Sequence, residues 1–192
     1  DTDRSRGLGD VYKRQDYNKI YNKILTDEEF MEIKQHGSSA YPFQYYYDNL
    51  ELFDFHCIEW HWHREFEFLY VESGQVTCGI GEKKIILSEG EAIFINSKIL
   101  HQFYASSDGV IPNFVCMPEF IAPENSLIYK KYILPIISSN IYFQRFQTDE
   151  LWQTKIIQTM IKIMEIQGNE KIRELATLAL MLSLIHISEP TR

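Results

Sequence analysis

The chain has 192 residues and a mass of 22.8 kDa, the size of one domain or of one domain with an appendage. A 45% hydrophobic and 14% aromatic content excludes a disordered chain, and a formal charge of -8 without clustered Lys/Arg excludes nucleic-acid binding by this chain taken alone. Cys57, Cys78 and Cys116 form no Cys-x-x-Cys, which excludes a disulfide framework and a cysteine zinc site, and no membrane segment or apolar leader is visible, so a cytoplasmic protein is expected.

In chain order, residues 1–15 have no apolar period, and residues 183–192 break off a helical pattern with Glu189-Pro-Thr-Arg192. Both resemble translated sequencing-adapter tags and are expected to be non-native. Residues 1–15 carry four basic and three acidic groups and residues 183–192 one of each, which leaves -9 on residues 16–182.

Residues 16–40 read as an N-terminal helical arm. Thr26-Asp-Glu-Glu29 has the form of a capping box, Leu25 and Phe30 stand at staple positions, and Gly37 is the stop. Residues 41–122 read as strands: Gln44 to Tyr47, Leu52 to Trp62, Glu65 to Glu72, Gln75 to Ile80, Lys84 to Leu87, Ala92 to Asn96, His101 to Ala105 and Asn113 to Met117. Turns at Asp48-Asn49, Ser73-Gly74, Gly81-Glu82, Ser88 to Glu91 and Ser107 to Gly109 separate them. Short strands so closely spaced predict a small antiparallel barrel or sandwich.

Residues 123–182 are helical. Ser126 to Leu134 is a short helix ended by Pro135. Asp149 to Gln167 places Trp152, Ile156, Met160 and Ile163 on one face, Gly168-Asn169 is a turn, and Glu170 to Leu182 offers Leu175, Leu178 and Leu182. The pair predicts a helical hairpin whose apolar stripe packs on its own domain or pairs subunits.

One cluster carries candidate chemistry. In Trp60-His61-Trp-His63-Arg-Glu65-Phe-Glu67, the residues His61, His63, Glu65 and Glu67 share parity and face one side of an extended chain. Two imidazoles and a carboxylate suit a divalent transition metal. On a straight strand, however, His61 and Glu67 would lie about 20 Å apart, so the chain must bend between Arg64 and Phe66. His101 is the fourth candidate ligand, and Glu65 the alternate carboxylate.

These residues carry a resemblance. His61-x-His63-x3-Glu67-x6-Gly74 is similar to the first cupin motif and Gly90-x10-His101 to the second. The chain departs from the first motif with Phe55 at the leading Gly, and from the second with Asn96, Lys98 and Ala105 at the Pro, Gly and Asn positions. Together with Tyr41-Pro42-Phe43 and the helices after Pro123, the pattern resembles the N-terminal ligand-binding half of AraC-family transcription regulators. The resemblance implies a mainly β fold, a cupin-like jelly-roll barrel at 41–122 followed by a helical hairpin at 123–182.

It further implies an effector-sensing and dimerisation domain of a bacterial regulator whose helix-turn-helix domain is missing. A small molecule such as a sugar would bind in the barrel, near His61, His63, Glu65, Glu67, His101 and Phe103. DNA would then be a partner only through the missing C-terminal domain, and the acidity of the chain fits that division. A homodimer would form through Trp152, Ile156, Met160, Ile163, Leu175, Leu178 and Leu182. The alternative is a metal-dependent cupin enzyme, an oxygenase or isomerase, with Fe, Mn or Zn on His61, His63, Glu67 and His101. A third reading is a binding module whose helices recruit another protein.

Overall fold

The computed structural model describes residues 22–106 and 108–188. Strands β1 (Phe43–Asn49), β2 (Cys57–His61), β3 (Phe66–Tyr70), β4 (Ser73–Ile80), β5 (Lys83–Ser88), β6 (Ala92–Ile95), β7 (His101–Tyr104) and β8 (Gly109–Cys116) correspond to the eight expected from sequence with shifted ends, except that the first half of the strand expected from Leu52 is not extended, since Leu50–Leu52 and Asp54–His56 form 3-10 turns. A ninth, β9 (Phe143–Phe146), pairs with β6 and was not expected. One sheet runs β1-β8-β3-β6-β9 and the other β2-β7-β4-β5, all antiparallel. Ser73 and Gly74 at the start of β4 also pair with β8 and join the two sheets into a jelly roll.

Side-chain alternation divides the core in two. Leu69 of β3, Ile93 and Ile95 of β6 and Ile111 of β8 point into the barrel and pack on Phe103, Val76 and Leu87. Phe66, Phe68, Phe94 and Phe114 point the other way, into a second apolar cluster with the helices. β3, β6 and β8 are therefore buried on both faces. This explains why β6 reads as a continuous apolar run rather than as an alternating one.

The helices are α1 (Pro118–Ile121), α2 (Leu134–Ile137), α3 (Leu151–Glu165) and α4 (Arg173–Ser188). A π turn at Tyr129–Ile133 runs directly into α2, so Pro135 does not end the helical segment. It sits in the first turn of α2, where a missing N–H is tolerated. A 3-10 turn at Ile166–Gly168 links α3 to α4, which pack together. α4 continues through the expected break at Ser183, and Leu184 is buried in the outer core. No helix among the described residues is long and apolar enough to cross a membrane.

The helical arm expected over residues 16–40 is corrected for its described part. Residues 22–40 contain no helix, and residues 16–21 lie outside the described residues, as do 1–15 and 189–192. Instead of capping a helix, Asp27 accepts hydrogen bonds from the backbone N–H of Glu29 and Met31, both at 2.9 Å, and Phe30 takes a positive φ of 66°. A short acidic side chain that binds its own backbone competes with helix formation. The extended segment then docks on the barrel through bridges from Asn22 to Phe53 and from Met31 to Trp62.

Gly74 makes the tightest joint between the sheets. Its φ is +82°, and a Cβ there would lie 1.9 Å from the carbonyl oxygen of Asp108. Gly74→Ala is expected to destabilise the fold by roughly 1–3 kcal/mol or more. Gly90→Ala shares a positive φ of 87° but meets open space, and should cost only about 1 kcal/mol. Urea denaturation of the two variants checks the order.

Candidate functional site

The bend required between Arg64 and Phe66 is present. β2 ends at His61, residues 62–65 cross between the sheets, and β3 begins at Phe66 in the other sheet. The crossing is pinned from the loop before β7. Lys98 N–H donates to the His63 carbonyl at 2.8 Å and the Ser97 hydroxyl to that of Arg64 at 2.6 Å. Two of the three departures from the second cupin motif, Lys98 and Asn96, have local solutions. Lys98 adopts φ 62°, the conformation a Gly would take there. Asn96 donates to the carbonyls of Ile136 and Ile141 and accepts from Ser97 N–H, which ties the loop to the helical segment.

His61 and His101 face each other across β2 and β7, with ring centroids 4.3 Å apart. Together with His63 and Glu67 they are buried, and one ligand atom from each lies within 4.8 Å of the others. Glu67 Oε2 accepts from His63 Nε2 at 3.3 Å and stands 2.9 Å from His101 Nε2. The outer nitrogens are fixed: His61 Nδ1 donates to the Glu59 carbonyl at 2.8 Å and His101 Nδ1 to that of Ile99 at 2.7 Å. These bonds set the tautomer and aim each Nε2 inward, as the outer contacts of metal-binding histidines do. His101 Nε2 is buried without an aligned hydrogen-bond partner, and its lone pair is one a metal ion would engage. The set therefore fits a divalent ion, and the buried His61-His63-Glu67-His101 group can hold one.

Charge is arranged to suit. Burial, followed by the neighbouring His101, pulls His61 down to about 3, so it is a neutral imidazole at pH 7. Burial pushes the Glu67 carboxyl upward, but His101 and His63 outweigh it and hold the group well below its usual range. Burial lowers His101, and the charge of Glu67 beside it more than reverses this.

His61 and Glu67 are depressed groups, so their contribution to stability is lost on acidification. That of His61 falls away from its ordinary 6.5 down to about 3, and that of Glu67 below its ordinary 4.5. His101, being raised, contributes below 6.5 and loses that contribution as pH rises through its folded value. In chelator, the unfolding free energy should therefore drop between pH 6.5 and 4, by up to roughly 1.4 kcal/mol per pH unit for one group, and the urea midpoint with it. His61→Gln should flatten the profile. A wild-type midpoint that holds steady over this interval would contradict the assignment.

A cavity of about 540 Å³ adjoins the cluster, between the barrel interior and the segment from Asn22 to His36. Phe103 lines it, edge-on to His101 at 5.5 Å and buried within the inner core. Glu65 lies just outside it, 3.6 Å from His63 Nδ1 and beyond hydrogen-bond range. Further polar residues line the cavity, among them Glu32, His36, Tyr46, Asp48 and Asn113. His36 donates from Nε2 to Glu32 at 3.1 Å, meets the Tyr46 hydroxyl at 2.8 Å and stacks edge-on to His63.

The residues expected to pair subunits separate into two groups. Ile156, Met160 and Ile163 are buried in the chain's own outer core against the sheet, so these three are corrected from interface to core. Helical periodicity marks an apolar face without saying what covers it. Trp152, Leu175 and Leu182 are exposed and Leu178 is half-buried.

Comparison with known proteins places these features in context. Residues 57–114 match the cupin domain family. An uncharacterized HTH-type transcriptional regulator, YdeC of Bacillus subtilis (strain 168), is 26% identical over 147 residues, 74% of this chain and 50% of that protein. The chain thus spans half the length of this relative. Among solved structures, a cupin-2 domain protein from Shewanella frigidimarina is 22% identical with a TM-score of 0.34, covering 43% of this chain and 82% of that one. A conserved protein of unknown function from Streptococcus pyogenes is 24% identical with a TM-score of 0.32, covering 33% and 55%. The matched segment and the antiparallel jelly roll agree: the chain contains a cupin domain, with a helical appendage and a likeness to a transcriptional regulator.

Proposed function

We propose that this chain is the effector-sensing part of an AraC-like bacterial transcription regulator, binding a small molecule in the barrel and pairing subunits through its helices. The observation that carries the reading is the cavity beside the buried His/Glu cluster, in a cupin domain with a regulator for a relative. A cavity of this size, lined by apolar surface together with many polar and charged groups, suits a polar metabolite. DNA contact falls to sequence outside this chain, and the exposed Trp152, Leu175 and Leu182 with the half-buried Leu178 offer the pairing face. A ligand of the folded state raises the melting temperature with its concentration, by about 2.7 kcal/mol of added stability at a hundredfold excess over Kd. Melting against a panel of sugars and small metabolites tests the reading. A flat response across the panel would favour a module that only recruits another protein.

The convergence of His61, His63, Glu67 and His101 favours a second reading, a metal-dependent oxygenase or isomerase. Iron, manganese or zinc held there would supply Lewis-acid polarisation of a bound oxygen. Metal analysis of protein purified without chelators decides it, and less than about a tenth of an equivalent per chain would exclude it.

A further inference from the structure

Three carboxylates line the cavity, and they are not equivalent. Glu32 is matched by His36, and Glu67 by His63 and His101. Asp48 has no ion pair among the described residues. Its Oδ2 accepts from Asn113 Nδ2 at 2.9 Å, and that same nitrogen also donates to the Ile111 carbonyl at 3.0 Å. No arginine lines the cavity, and its two lysines, Lys23 and Lys34, are exposed at the mouth, with Lys34 Nζ over the Tyr46 ring at 4.3 Å.

Strand register gives the spacing. Glu67 stands opposite Val115 on one side of β8, and Asp48 opposite Ile111 on the other. Four residues along the strand separate the two levels, about 13 Å. Asp48 thus sits at a different level of the strands from the histidine centre and opens into the same space.

We propose that the cavity takes an elongated small molecule bearing a primary ammonium group, received by Asp48 at one end while the other end approaches the His61-His63-Glu67-His101 centre. The inference rests on the effector-binding reading above. An anion at this position would meet a like charge in a partly desolvated site, and a neutral polyol would leave the carboxylate uncompensated. An ammonium supplies charge-assisted hydrogen bonds to the free Oδ1. Burial raises Asp48 against the lowering by its Asn113 hydrogen bond, Glu67 and Glu32 add to the rise, and the exposed Lys34 opposes it without reversing it, so the site gains from an incoming cation.

Three straight-chain probes of one length separate the classes: 5-aminopentan-1-ol, pentane-1,5-diol and 5-hydroxypentanoate. Calorimetric titration at constant ionic strength should find the amine at least about tenfold tighter than the diol, and no binding of the hydroxy acid. Asp48→Asn should reduce the amine to the level of the diol and leave the diol unchanged. The Asn113 side-chain amide resonance of the unmodified protein should move with the amine, a readout that does not depend on the variant folding. Three results overturn the inference: equal or tighter binding of the diol or hydroxy acid, amine affinity that survives Asp48→Asn, or no calorimetric and spectral response to the amine. If metabolites in the melting panel still stabilise the protein, only the ammonium assignment fails. If none does, the effector reading fails with it.

Discussion

Glu67→Ala is expected to lower the unfolding free energy of the metal-free protein by about 3–5 kcal/mol, the largest effect of any single change in the cavity. The carboxylate is buried, and its Oε2 serves His63 and His101 together. Its removal leaves two buried imidazoles facing one another without an acceptor, and the charged form of His101 without its counter-ion. Glu67→Gln keeps the shape and one acceptor oxygen, so it should cost less, about 1–3 kcal/mol. Both variants should weaken divalent-metal binding, because the one anionic ligand is gone and only three imidazoles remain. Urea unfolding in chelator measures the first effect and metal titration the second. A loss below about 1 kcal/mol for Glu67→Ala would show that the histidines do not depend on the carboxylate.

Phe114→Ala should destabilise by a comparable amount, about 3–5 kcal/mol, for a different reason. Its ring is fully buried and stacks on Phe43 at 5.3 Å on one side and on Phe68 at 5.0 Å on the other. It joins β1, β8 and β3 on the face covered by the helices. Truncation opens a void that three neighbouring strands cannot close together, since the opposite face of the same sheet is also packed. Leu151→Ala, on the exposed start of α3, is the matched control and should stay within about 0.5 kcal/mol. Near-equal denaturation midpoints for the two variants would contradict the packing described for the outer core.

The legible parts of this fold are those with a local signature. Eight strands could be read because turn residues punctuate them, and His61, His63, Glu67 and His101 because their spacing follows the two cupin motifs. β9 was hidden: Phe143-Gln-Arg-Phe146 is an edge strand of four residues inside a helical stretch. Its attachment depends on Glu91, which pairs with Arg145 and accepts from Gln147 more than fifty residues away. The second half of the cavity was hidden for the same reason. Glu32 and His36 come from the docked N-terminal segment, Tyr46 and Asp48 from β1 and Asn113 from β8, and no spacing in the sequence links them. The apparent capping box at Thr26 failed because the Asp27 carboxylate found backbone donors within its own loop.

β3 is a partition wall with furniture bolted to both sides. Glu67 and Leu69 face the cavity side, and Phe66 and Phe68 face α3 and the rest of the outer core. Such a strand cannot shift on one side alone, because close-packed cores transmit displacement rather than absorb it. Whatever occupies the cavity and moves Glu67 must therefore be felt at Phe68. By reciprocity, a substitution at Phe68, which never touches the occupant, must retune its affinity whenever it biases the position of the strand.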